Sequence, residues 1–67
     1  MKILVLGSGA REHALVWRLS LPEEGSEVVA APGNPGIAEL ARCVPVDTLD
    51  PAAVVALARE LGTELVV

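Results

Sequence analysis

The stretch Leu4-Val5-Leu6-Gly7-Ser8-Gly9-Ala10-Arg11-Glu12-His13-Ala14 decides the fold. An apolar run enters a glycine turn, and a helix-forming segment follows at once. A strand that feeds a glycine turn and then a helix is how open α/β sheets build an anion cradle. Gly7 and Gly9 permit a sharp bend and let a ligand approach the main chain. The free N–H groups of the first helical turn, at the positive end of the helix dipole, point at whatever sits there. The stretch therefore reads as a site for a phosphorylated small molecule.

Outward from this turn, Lys2 to Leu6 is a continuous apolar run, as expected of a strand buried on both faces. The helix that follows spans Ala10 or Arg11 to Leu19 or Ser20. Ala14, Leu15, Trp17, Leu19 and Leu21 form its expected apolar side, with Trp17 in the core. Pro22 stops it, because the residue before a proline is pushed out of the helical region. Pro22 to Ser26 reads as a polar loop and Glu27 to Ala31 as a second strand. Pro32-Gly33-Asn34-Pro35-Gly36 is the densest turn signal in the chain. Ile37 to Arg42 reads as a short helical turn. Cys43-Val44-Pro45-Val46 reads as a third strand, at an edge because Pro45 has no N–H to donate. Asp50 is a good N-cap ahead of Pro51, a helix covers Ala52 to Leu61, and Gly62 closes it. Thr63 to Val67 opens a fourth strand. Strands alternating with helical connections predict a parallel, right-handed α/β sheet of about four strands. The Gly7–His13 turn and the Pro32–Gly36 loop both follow strands, so both belong on the carboxyl edge where ligands bind.

Composition narrows the possibilities. The chain has 67 residues, of which 52% are hydrophobic, and a single aromatic residue, Trp17. A Val, Leu, Ile and Ala core of this kind suits a sheet covered by helices and is too apolar for a disordered chain. A domain this short buries only about 60% of its unfolded surface. The net charge of −4 argues against a nucleic-acid partner, which would select a basic surface. No apolar run reaches membrane-spanning length, so no membrane partner is expected. Cys43 is the only cysteine. It gives neither a disulfide framework nor metal-ligand spacing, and a reducing, cytoplasmic setting is the simplest account. Glu64-Leu65-Val66-Val67 reads as a strand just begun, and the expectation is a piece of a larger domain.

Candidate site residues each carry a plain alternative. Gly7-x-Gly9 alone is a weak signal. A dinucleotide site needs a third glycine where this chain has Glu12, and an acidic residue at the end of the second strand, which here runs Ala30-Ala31-Pro32. Arg11 is unfavourable in a first helical turn on dipole grounds, and a guanidinium can grip phosphate with two donors. Glu12 either complements the dipole or accepts hydrogen bonds from sugar hydroxyls or an amine. His13 either contacts ligand or faces a neighbouring loop. Asn34 either binds ligand or holds its turn. Cys43 reads as a small buried hydrophobe. Asp47 and Asp50 are too few for a metal site. No catalytic set is visible.

Gly7-Ser8-Gly9-Ala10-Arg11-Glu12-His13-Ala14-Leu15 followed by Ala31-Pro32-Gly33-Asn34-Pro35-Gly36 resembles the amino terminus of the phosphoribosylamine–glycine ligases, and the similarity runs through Val67. The resemblance implies that residues 1–67 are part of an amino-terminal Rossmann-like, pre-ATP-grasp domain that holds substrate, with the ATP-grasp domains outside this chain. It implies a parent enzyme of purine biosynthesis that joins glycine to 5-phosphoribosylamine with hydrolysis of ATP to ADP and phosphate. Glycine would be activated as an acyl phosphate, which the ribosylamine nitrogen attacks. ATP with Mg²⁺ or Mn²⁺ would bind beyond this chain, which would be inactive alone. By matching position, Gly7, Gly9, Arg11 and Glu12 would line the substrate side, with Asn34 and Gly36 on the adjoining loop. The family usually carries Gly where this chain has Ala10, and a left-handed backbone there would make alanine cost about 1 kcal/mol. Two other readings stand beside this one. The first is a small nucleotide-binding module of the NAD class. The second is a module that forms a homodimer through the Thr63–Val67 strand edge.

Overall fold

The computed structural model describes residues 1–67. It contains β1 (Lys2–Gly7), α1 (Ala10–Leu19), β2 (Glu27–Pro32), α2 (Pro35–Ala38), β3 (Arg42–Cys43), α3 (Pro51–Leu61) and β4 (Leu65–Val66). A 3-10 turn over Pro22–Glu24 lies within the segment expected to be a polar loop. The strands form one sheet in the order β3-β2-β1-β4, and every pair is parallel. The chain is thus an incomplete Rossmann-like α/β fold.

Period-two alternation along β1 sorts its side chains between two apolar clusters. Ile3 and Val5 face Val16 of α1 and Ile37 of α2, together with Val28 and Ala30 of β2. Leu4 faces the other way, with Val29, Ala31 and Leu57 of α3. Helices therefore cover both faces, and the continuous apolar run of β1 is the consequence. Backbone bonds secure both edges of this strand. It pairs with β2 from Lys2–Glu27 to Gly7–Pro32. On the other edge, Glu64 N donates to Lys2 O, Val67 N to Leu4 O and Leu6 N to Val67 O, each at 2.9 Å.

Helix boundaries follow their caps. The Asp50 side chain accepts from the Ala52 and Ala53 N–H groups, and Pro51 opens α3. Gly62 closes that helix in the left-handed region, at φ 68°. The second helix starts earlier than the expected Ile37, because Asn34 caps it and Pro35 takes its first position. The third strand is shorter than Cys43–Val46. After Val44 N donates to Ala30 O, the next rung back to Val44 O would have to come from Pro32 of β2, which has no N–H to donate. β3 does lie at the sheet edge.

Trp17 departs from the core expected of it. It is 55% exposed, whereas Val16, absent from the expected apolar side, is fully buried. Ala14 is also exposed. The buried stripe of α1 runs through Val16, with Leu15 and Leu19 packed against the same cluster. The next residue round the helix, about 100° away, faces out. Cys43 is half-buried against the cluster that contains Ile3 and Val5. No helix is long and apolar enough to cross a membrane.

This division of the core predicts unequal costs. Leu4→Ala should lose about 2–5 kcal/mol, enough to unfold much of the population of so small a domain. Trp17→Ala should stay within about 0.5 kcal/mol of the parent. Urea unfolding followed by far-ultraviolet circular dichroism measures both.

Candidate functional site

The carboxyl ends of β1 and β2 carry the two loops singled out above, and hydrogen bonds stitch them together. Gly33 N donates to Gly7 O at 3.1 Å. Asn34 Nδ2 donates to Ser8 O at 2.7 Å, while its Oδ1 accepts from Ile37 N at 2.9 Å. One amide side chain thus caps α2 and ties the second loop to the glycine turn. Of the two readings open for Asn34, the structure displays the turn-holding one. His13 reaches the same loop. A Cβ on Gly36 would fall 2.7 Å from its Cε1, so the imidazole packs directly on the Gly36 backbone.

Beside these loops a crevice of about 260 Å³ opens, lined by Val5, Leu6, Arg11, Glu12, Leu15 and Val67. Its position follows from topology. The connection through α1 leads from β1 to β2 on one side, with α1 and α2 packed over Ile3 and Val5. The connection through α3 crosses the opposite face and delivers β4 to the other side of β1. The chain therefore parts between β1 and β4, which is the switch point where open α/β sheets place their ligands. Val67 closes the β4 side of the crevice, and Arg11 and Glu12 of the first turn of α1 close the other.

Arg11 is exposed, and no carboxylate pairs with it. Its guanidinium is thus free to meet an anionic group. Glu12 is half-buried and folds back over the glycine turn. A Cβ on Gly7 would lie 2.5 Å from its Oε1, and one on Gly9 would lie 3.2 Å from its Oε2. Gly7 also has φ 127°, a backbone conformation that by itself calls for glycine there. Ala10 opens α1, and no non-glycine residue has a positive φ. Alanine at that position therefore carries no strain. No ionisable cluster of three or more His, Cys, Asp or Glu is placed to hold a metal ion.

The structure thus brings Gly7, Gly9, Arg11 and Glu12 together at the mouth of the crevice. Asn34 and Gly36 lie on the adjoining loop, tied to the turn through Ser8 O and packed against His13. Sequence reasoning missed Val67 and Leu15 as walls. Their signal was present in the strand order, but only once β4 is known to lie beside β1.

The family described as phosphoribosylglycinamide synthetase, N domain, matches residues 1–67. The chain belongs to that family. Among similar proteins, the phosphoribosylamine–glycine ligase of Streptomyces coelicolor is 60% identical over 67 residues. That of Leifsonia xyli is 59% identical over 68 residues, and that of Agrobacterium fabrum 49% over 67. Each comparison covers 100% of this chain and 16% of the relative. This member of the N-domain family therefore spans about one sixth of the length of the relatives it matches.

The double use of Asn34 makes a separable prediction for this N domain. Asn34→Ala loses both the cap and the tie, and should cost about 1–2 kcal/mol. Asn34→Asp keeps the acceptor for Ile37 N and loses the donor to Ser8 O, so it should cost less. Urea midpoints of the two variants decide the order.

Proposed function

We propose that this chain is the substrate-holding amino-terminal part of a phosphoribosylamine–glycine ligase of purine biosynthesis. The observation that carries this reading is similarity along the whole chain to relatives that bear that name. The crevice between β1 and β4 agrees with it in chemistry. Arg11 presents a guanidinium, the side chain best shaped for a phosphate. Glu12 presents a carboxylate that accepts from a sugar hydroxyl or from the ribosylamine nitrogen. Gly7 and Gly9 clear the space in which the Glu12 carboxylate lies, and Asn34 and Gly36 of the neighbouring loop complete the proposed substrate side.

In this reading the parent enzyme converts glycine, phosphoribosylamine and ATP into glycinamide ribonucleotide, ADP and phosphate. The terminal phosphoryl group of ATP passes to the glycine carboxylate. The amine nitrogen then displaces phosphate from the resulting acyl phosphate. These residues contribute binding and orientation of the amine-bearing sugar. By resemblance to the ligase family, ATP and its Mg²⁺ or Mn²⁺ are assigned to the part of the ligase beyond this chain, where the cation would offset phosphate charge. The 67-residue chain alone is expected to make no product. The setting proposed is cytoplasmic.

A second reading concerns assembly. Leu65, Val66 and Val67 are 43–50% exposed, and β4 has a neighbour on one edge only. Pairing of that edge with a second copy would form a homodimer. Sedimentation of the 67-residue chain should then show a mass that rises with concentration, and a constant monomer mass would reject the dimer.

For the ligase reading, the decisive variant is Arg11→Ala in a full-length enzyme carrying this sequence. Loss of a charge-assisted phosphate contact should raise KM for phosphoribosylamine about ten- to a hundredfold. The KM for ATP should remain unchanged. Steady-state kinetics with each substrate varied separately makes the test, and an unaltered phosphoribosylamine KM removes Arg11 from the site.

A further inference from the structure

The glycine turn was expected to be an anion cradle, yet the chain has placed an anion of its own in it. Glu12 occupies the third residue of α1, counting from the N-cap Gly9. From that position a glutamate side chain can reach back across the start of its helix, as in a capping box. Here it does so. Its Cγ, Cδ and Oε1 would all lie within 2.7 Å of a Cβ on Gly7, and its Oε2 within 3.2 Å of one on Gly9. The space that two glycines clear on the main chain is filled by this carboxylate. No side chain caps α1, and neither a hydrogen bond nor an ion pair engages Glu12. Its oxygens therefore keep their full accepting capacity while half-buried at the crevice mouth.

We infer that Glu12 is a specificity residue that bars phosphate from the glycine turn and reserves that turn for a hydrogen-bond donor such as a hydroxyl or an amine. Two effects act in the same direction. The carboxylate takes the volume a phosphate would need against the Gly7 and Gly9 backbone. It also repels a second anion brought to contact distance. The same carboxylate accepts from a neutral or cationic donor without either penalty. A ligand bearing both a phosphate and donor groups is thereby oriented. Its donors lie towards the turn, and its phosphate lies out towards Arg11, which is exposed and free of any carboxylate partner. For the identity of that ligand the inference rests on the ligase reading, whereas the exclusion of phosphate does not.

Inorganic pyrophosphate is the probe, because it carries the phosphate chemistry with no sugar or base. It is titrated into the isotope-labelled 67-residue chain, and the amide resonances of Gly7, Ser8 and Gly9 are followed. The wild-type turn should show no saturable shift at millimolar pyrophosphate. Glu12→Ala should give saturable shifts at these amides and bind at least about tenfold more tightly, since both the volume and the like charge are removed. Glu12→Ser, equally short, replaces the alanine variant if circular dichroism shows that the latter fails to fold. Saturable wild-type shifts at the turn overturn the inference, as do equal affinities for wild type and the short-side-chain variant. The wild-type arm needs no variant to fold. Neither arm uses ligase activity, so failure here and failure of the Arg11 kinetics are separate results.

Discussion

Everything in this molecule depends on β1 being satisfied on four sides. Ile3, Leu4 and Val5 are at most 3% exposed. They present alternate side chains to helices on opposite faces, while the backbone bonds β2 on one edge and residues 64–67 on the other. Burial of each such side chain is worth about 1.5–3 kcal/mol. No other strand here is enclosed in this way. β2 leans on a two-residue partner, and β3 and β4 each have an open edge. The glycine turn extends the central strand directly, so the residues proposed to meet substrate project from the most constrained point in the chain.

That rigidity is passed to the site through backbone and amide contacts. The Gly33 N–H and the Asn34 side chain fasten the second loop to Gly7 and Ser8, and His13 presses on Gly36. Arg11 and Glu12 then differ by position on one helical turn. Arg11 faces solvent, and Glu12 lies back over the strand end. A site that offers one free cation and one folded-in anion, side by side, is polarised before any ligand arrives. Polarity of this sort favours molecules that carry phosphate at one end and donors at the other.

Much of this was legible in the residues because local rules and global fold agree. The apolar run before Gly7, the Asp50-Pro51 start and Gly62 end of α3, and the proline-glycine loop after β2 each announce themselves. Trp17 misled because an apolar side spread over Ala14, Leu15, Trp17, Leu19 and Leu21 is too broad to fix the inward direction. Burial on α1 is decided by angle, and Val16 holds the inward angle. The short β3 was hidden because Pro32 of β2 interrupts the pairing, an effect that depends on which strand lies alongside. The crevice was the least readable feature. Its walls combine Leu15 with Val67, and their adjacency exists only because α3 carries the chain across the far face of the sheet. The folded-back carboxylate of Glu12 was also beyond the sequence, which places that residue in the first helical turn without giving its rotamer.

The remote pairing of β1 with residues 64–67 has a consequence for motion. Leu6 N is bonded to Val67 O, and Val67 is also a wall of the crevice. None of residues 64–67 belongs to either apolar cluster, so backbone bonds to β1 hold this segment in place, and its release is a smaller opening than unfolding of the core. When this segment lifts away, the Leu6 amide loses its acceptor in the same event that removes one side of the cavity. Solvent exchange at that single backbone hydrogen therefore counts the moments when the crevice has lost its wall.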